Sequence, residues 1–256
     1  KGETLEEMSG FLDATEARIA RFPSSGQPTV VLPSYNGARK LPVLTPLLAL
    51  LLAREGLPVL LHGMRTEARR ILASDVLAEL GVESLGAPRR IAPGEVVQIS
   101  TEALLPGLAS LLRARELIGL RNPGHSVVKL INPCDADALV ICSYTHPEYF
   151  DTLCATYRER SMNGLLSRGL EGEVAADPRR TPRYDGFVRG EHVVLQDQSP
   201  GTASEVAGLP TEIDVATTAK YTHHVLDGQL PVPPALQQQV QHIVRLARRI
   251  SLVPKE

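Results

Sequence analysis

The stretch RARELIGLRNPGHSVVKL (113–130) carries Arg113, Arg115, Arg121, His125 and Lys129 against one acid, Glu116, with Asn122 among them. It is the densest positive stretch in a chain whose formal net charge is −2. Cations gathered in this way contact phosphates and supply the sequence-independent part of nucleic-acid affinity. The same residues also fit an ordinary helix end, where the dipole favours positive charge. A second group sits in TVVLPSYNGARK (29–40), where an apolar run stops at a Pro and opens into a polar loop with Arg39 and Lys40 behind it. Open α/β sheets bind ligands at this end of a strand, although two solvated charges after a turn would look the same. Arg65 follows the next apolar run, and Arg69 and Arg70 come about one helical turn later, with Glu67 placed to neutralise one of them.

Other chemistries find less support. No Gly-x-Ser-x-Gly elbow occurs. The three cysteines (Cys134, Cys142 and Cys154) lack metal-ligand spacing and a cationic context that would favour a thiolate. Cys142 lies in an apolar run and reads as core. His223 and His224 are adjacent, so on a helix they point apart, and no third ligand stands near them. Arg179, Arg180 and Arg183 read as a solvated face, and Arg245, Arg248 and Arg249 as cations on a terminal helix. Tyr35, Tyr144 and Tyr149 offer faces for stacking on bases. Aromatic residues make up only 4% of the chain and Trp is absent, so phosphate contacts are expected to dominate.

The elements that position these residues follow from periodicity and turn chemistry. Helices are expected over 4–19 with Thr4 as N-cap, 45–54, 66–80, 106–117, 147–160, 214–226 and 234–252. Strands are expected over 29–32, 57–61, 139–143, 165–167 and 192–196. Residues 84–107 show less regularity, and 169–190, rich in Gly, Pro, Asp and Arg, read as an exposed excursion. Strand and helix alternate at a spacing that calls for a parallel sheet. The fold class is α/β: a central, mostly parallel sheet with flanking helices, plus a small helical domain, complete or truncated. The organisation expected is 1–22 in the small helical domain, 28–95 in the α/β domain, 96–133 as a helical segment packing with the small domain and acting as hinge, and 134–256 completing the α/β domain.

With 43% apolar residues in 256, the chain can bury a substantial core. Arg outnumbers Lys 22 to 5, which suits bidentate phosphate or carboxylate recognition and equally a GC-rich genome. LTPLLALLLA (44–53) is too short to span a membrane and reads as a buried helix. The cysteine usage fits a reducing cytoplasm, and no signal peptide is visible. The chain opens on Lys-Gly-Glu-Thr rather than Met, and a helix pattern begins at once, so a native segment is expected to precede it.

The segments KGETLEE, HGMR (62–65), SDVLAELGV (74–82), RARELIGLRN (113–122) and INP (131–133) together resemble the anthranilate phosphoribosyltransferase family (glycosyltransferase family 3) and its nucleoside phosphorylase relatives. The resemblance runs over nearly the whole chain and implies that fold and a homodimer. It also exposes departures. Where the family has a Gly-Thr-Gly-Gly-Asp loop for the pyrophosphate of phosphoribosyl pyrophosphate, this chain has Ser34-Tyr35-Asn36-Gly37-Ala38-Arg39-Lys40. Met64 replaces the family's Asn after His-Gly, and Arg69-Arg70 falls near its Ser-Ser pair. Its magnesium-holding Asp-Glu pair has no adjacent acidic counterpart in 169–178, where Glu173 and Asp177 stand apart.

SYNGARK, GLRN, GHSVVKL, SYTHPEY and GLEGEVAADPRR resemble a YbiB-type branch of the family that binds nucleic acids. The resemblance implies sequence-independent nucleic-acid binding by Arg39, Lys40, Arg65, Arg69, Arg70, Arg113, Arg115, Arg121, Asn122, His125 and Lys129, with no catalytic residue and no metal. The alternative is a transferase with an altered site, in which Asn36, Gly37, Arg65 and Arg121 hold phosphate or acceptor and Glu173 and Asp177 hold Mg²⁺. A scaffold that binds no nucleotide is the third reading, favoured by the net charge.

Overall fold

β-Branched and leucine-rich runs bounded by Gly and Pro make the strands, and leucine-rich amphipathic runs make the helices that cover them. The computed structural model describes residues 3–252. Lys1 and Gly2, the start of the KGETLEE match, lie outside the described residues. In chain order the elements begin with α1 (Leu5–Glu16), β1 (Thr29–Pro33), α2 (Thr45–Arg54), β2 (Val59–Gly63), α3 (Ala73–Glu79), β3 (Ser84–Leu85) and β4 (Val96–Ser100). Next come α4 (Thr101–Leu104), α5 (Pro106–Ile118), α6 (Gly124–Val127), β5 (Ala138–Tyr144) and α7 (Glu148–Glu159). The chain closes with β6 (Gly164–Arg168), β7 (Tyr184–Val188), β8 (Glu191–Gln196), α8 (Val215–Leu226) and α9 (Pro234–Leu252).

The strands form one eight-stranded sheet in the order β3-β4-β2-β1-β5-β6-β7-β8. It is parallel as far as β6, and β7 and β8 add antiparallel. β1 pairs with β2 on one side and β5 on the other, so the direction of strand addition reverses between β1 and β5. A doubly wound sheet opens a crevice at that reversal, outside the carboxyl ends of the strands. The core lies on both faces. Val30 and Leu32 of β1 pack with α2, α8 and α9, while Val31 packs with α1, α5 and α7. This is the period-two alternation of a strand covered on both sides.

Several expectations need correcting. The helix expected over 66–80 starts only at Ala73, because residues 66–72 are held by tertiary pairing. Ala38 and Ile71 exchange backbone hydrogen bonds at 2.8 and 3.3 Å, and Asp75 then accepts the Leu72 N–H at 3.2 Å to begin the helix. Arg69 is therefore not one turn along a helix from Arg65. Residues 169–190 are not an exposed excursion. Leu170 and 172–176 are buried, and β7 is buried along its whole length between β6 and β8. The Gly and Pro residues there make turns inside the fold. β4 was hidden in the irregular 84–107 segment. The capping box of Thr4 with Glu7 begins α1 as expected, and all three cysteines are free and buried.

Among the described residues no helix is long and apolar enough to cross a membrane.

Candidate functional site

The loop that follows β1 is the centre of the crevice. Pro33 removes a donor from the strand end, and the Ser34 N–H closes onto the His62 carbonyl at 2.8 Å. Tyr35 then turns inward. It is 1% exposed, and its hydroxyl donates to the His125 carbonyl at 2.9 Å, so its face is not available for stacking on a base. Gly37 has φ +69°, and a Cβ there would stand 2.7 Å from the Ile71 carbonyl oxygen, so only glycine fits between the loop and the Ala38–Ile71 bridge.

The loop points its donors at carboxylates of the turn after β6. The backbone N–H groups of Asn36 and Gly37 each donate to Glu173 Oε1 at 2.8 Å. The hydroxyls of Ser34 and Thr45 donate to Glu173 Oε2 at 2.5 and 3.1 Å. Ser34, Asn36, Thr45 and Glu173 are all buried. One turn residue away, Glu171 accepts the N–H of Arg39 at 2.8 Å and of Lys40 at 3.0 Å. Gly172 lies between the two glutamates with φ +86°, and its carbonyl takes the Asn36 amide and the Ser143 hydroxyl. The Arg121 guanidinium donates to Asn36 Oδ1 at 2.9 Å, which ties the end of the α5 segment to the same loop.

The expected cations divide by what they face. Arg65 pairs with Asp75 at 2.6 Å, and Arg113 with Glu102 at 3.0 Å on the α4–α5 side. Arg70 and Arg115 share Glu67. Burial alone would raise the Glu67 carboxyl, and the two guanidiniums outweigh it, so Glu67 sits below the usual range. Asn122 caps the short α6 turn, accepting the Gly124 N–H at 3.0 Å and donating to the Leu111 carbonyl. His125 is 3% exposed, and burial, with Arg121, pushes its pKa down to about 4, so the imidazole is neutral at pH 7. Lys129 reaches inward to the Ser143 carbonyl at 3.1 Å. Arg39, Lys40, Arg69 and Arg121 are exposed. Among the described residues the side chains of Arg39, Lys40 and Arg69 meet no acid, and Arg121 meets only the Asn36 amide.

Beside these lies a cavity of about 310 Å³, lined by Lys40, Thr145, Arg168, Glu171, Arg179 and Arg180 among others. It opens at the carboxyl ends of β5 and β6, next to the β1 loop. Arg168 is the last residue of β6, is exposed and meets no acid among the described residues. Sequence reasoning missed it, although a cation closing an apolar run before Gly169 is the same signal that marked Arg65. It missed Glu171 altogether and offered Glu173 only as a Mg²⁺ ligand of the alternative reading, because a glutamate beside Gly172 gives no sign that the N–H groups of a distant loop will meet it. Asp177 is engaged by Arg179 at 2.8 Å and Arg180 at 3.5 Å. Glu173 and Asp177 are thus both spent on protein donors, and among the described residues no group of three or more His, Cys, Asp or Glu gathers to hold a metal. The residues present do not fit a Mg²⁺ centre.

The chain is 34% identical over 247 residues to the uncharacterized protein YbiB of Escherichia coli, covering 94% of this chain and 77% of that protein. It is 25% identical over 178 residues to the anthranilate phosphoribosyltransferase of Leifsonia xyli, covering 67% of this chain and spanning 50% of that enzyme. The crystal structure of anthranilate phosphoribosyltransferase from Thermus thermophilus superposes with a TM-score of 0.70 at 20% identity, covering 99% of this chain and 77% of the other. No family model matches.

Proposed function

Because the chain belongs to the anthranilate phosphoribosyltransferase family, we propose that it keeps the family's fold and uses the edge of its sheet to bind nucleic acid without sequence preference, rather than to turn over phosphoribosyl pyrophosphate with Mg²⁺. One observation carries the reading. The N–H groups of the β1 loop are consumed by Glu171 and Glu173, while exposed cations without acidic partners stand around the same loop. A loop whose backbone is occupied cannot wrap a small phosphate, but its rim can meet a string of phosphates with side chains.

The binding residues of this reading are Arg39, Lys40, Arg69, Arg121 and Arg168. Arg65 and Arg113 contribute less, because Asp75 and Glu102 cancel their charge at close range, and Arg70 and Arg115, which share Glu67, keep one net positive charge between them. The protein acts as a homodimer in the cytoplasm. Support for self-association comes from the end of α5 and the turn after it, where Leu117 is 90%, Ile118 59% and Leu120 69% exposed.

A transferase with an altered site is the second reading. The cavity beside Lys40 and Arg168 favours it, since a phosphorylated substrate would find cations and an enclosed wall there. Product formation from phosphoribosyl pyrophosphate and an aromatic amine is its test.

Fluorescence anisotropy with labelled single-stranded DNA, duplex DNA and RNA tests the first reading. Binding to all three that weakens steeply with salt is expected. Absence of binding to any of them at low salt overturns it.

A further inference from the structure

The donors of the β1 loop converge as they would on an oxyanion, and the anion they hold belongs to the chain. Glu173 is 2% exposed, yet among the described residues no cation pairs with its carboxylate. A buried charge without a counter-ion is tolerated only where dipoles surround it. Here four donors do so, from Ser34, Asn36, Gly37 and Thr45, two of them backbone amides and two hydroxyls. Thr45 is also the first residue of α2, and Leu44 at the N-cap supplies no side-chain cap. The positive end of that ten-residue helix therefore has the Glu173 carboxylate as its anionic partner. The turn that delivers it is fixed. The Glu173 N–H returns to the Leu170 carbonyl at 2.9 Å, and Glu171 of the same turn takes the N–H groups of Arg39 and Lys40.

We infer that Glu173 is an intramolecular ligand of the β1 loop, a carboxylate that fills a cradle built for a phosphate-class oxyanion and keeps inorganic phosphate and phosphate esters out of it. The two carboxylate oxygens already take all four donors, so an entering phosphate would have to displace the side chain and strand a buried charge. The inference concerns the interior of the loop and stands apart from whether the cations on its rim hold nucleic acid.

The test titrates inorganic phosphate into the intact protein while following the amide resonances of Asn36 and Gly37. In the wild type these resonances are expected to stay still through millimolar phosphate. In Glu173→Ala they are expected to shift, with affinity for phosphate at least about tenfold higher than in the wild type, the scale set by charge-assisted hydrogen bonds. Adding Thr45→Val to Glu173→Ala should remove much of that gain. Movement of the Asn36 and Gly37 amides in the wild type overturns the inference, and this arm needs no variant to fold. A folded Glu173→Ala that binds phosphate no better than the wild type overturns it as well. Nucleic-acid affinity, measured on the same samples, reports separately on the rim.

Discussion

The backbone N–H of Gly37 donates to the carboxylate of Glu173 at 2.8 Å across 136 residues of chain. That bond joins the loop after β1 to the turn after β6, on either side of the strand-order reversal where a doubly wound sheet binds its ligands. With its interior closed by this bond, the crevice presents side chains instead of backbone. Among the described residues, the cations that meet no acid there are those at the rim: Arg39, Lys40, Arg69, Arg121 and Arg168.

Gly172 holds the two glutamates in place, and Gly172→Ala should break the arrangement. Its φ is +86°, and a Cβ would stand 2.7 Å from the Asn36 amide nitrogen. A loss of about 1–3 kcal/mol is expected from the strained backbone and the displaced amide. Chemical denaturation of the two proteins side by side measures it. Equal midpoints would mean that the turn relaxes without cost.

Tyr35→Phe separates structure from binding. The hydroxyl gives one buried hydrogen bond to the His125 carbonyl, so its removal should cost about 1 kcal/mol of stability. Because the ring is buried, affinity for single-stranded DNA should not change. A weaker complex with unaltered stability would show that the ring reaches the ligand after all. Exposed Tyr149 is the aromatic face whose loss can weaken stacking.

His62 and His125 make the protein sensitive to acid. His62 is buried, neither of its ring nitrogens is hydrogen-bonded among the described residues, and burial lowers its pKa from 6.5 to about 4. The unfolded chain takes up a proton below pH 6.5 that the native imidazole refuses until about 4. Stability is therefore full above pH 6.5, falls as pH drops through that interval, and is lost to the extent of about 3 kcal/mol below it. Urea midpoints across pH for wild type and His62→Leu give the comparison. The variant should show a shallower fall between pH 6.5 and 4; an identical slope would place the proton elsewhere.

Much of the scaffold was legible because buried strands and amphipathic helices leave strong patterns. The runs that became β1, β2, β5, α2, α8 and α9 are apolar at the right period and end on Gly, Pro or charge. Besides β4, three things stayed hidden, each for a tertiary reason. β7 (YDGFV) reads as polar turn sequence, since its Asp185 is balanced by Arg183 and His192, which no local pattern shows. The helical period of 66–72 lost to the Ala38–Ile71 bridge. Glu173 read as a candidate Mg²⁺ ligand of the alternative, until the fold brought Ser34, Asn36, Gly37 and Thr45 around it. The candidate cations were found by density, but charge density alone cannot separate Arg115, which pairs with Glu67, from Arg39, whose side chain meets no acid among the described residues.

The most direct measurement is the salt dependence of single-stranded DNA binding for the wild type and for Arg39→Ala/Lys40→Ala/Arg168→Ala, with Arg113→Ala/Glu102→Ala as control. Removing a side chain that neutralises one phosphate should reduce the log–log slope by roughly 0.7. The triple variant should bind more weakly with a flatter slope, while Arg113→Ala/Glu102→Ala, which removes an ion pair and leaves the net charge unchanged, should follow the wild type. A triple variant with the wild-type affinity and slope would contradict the assignment of the rim as the nucleic-acid surface.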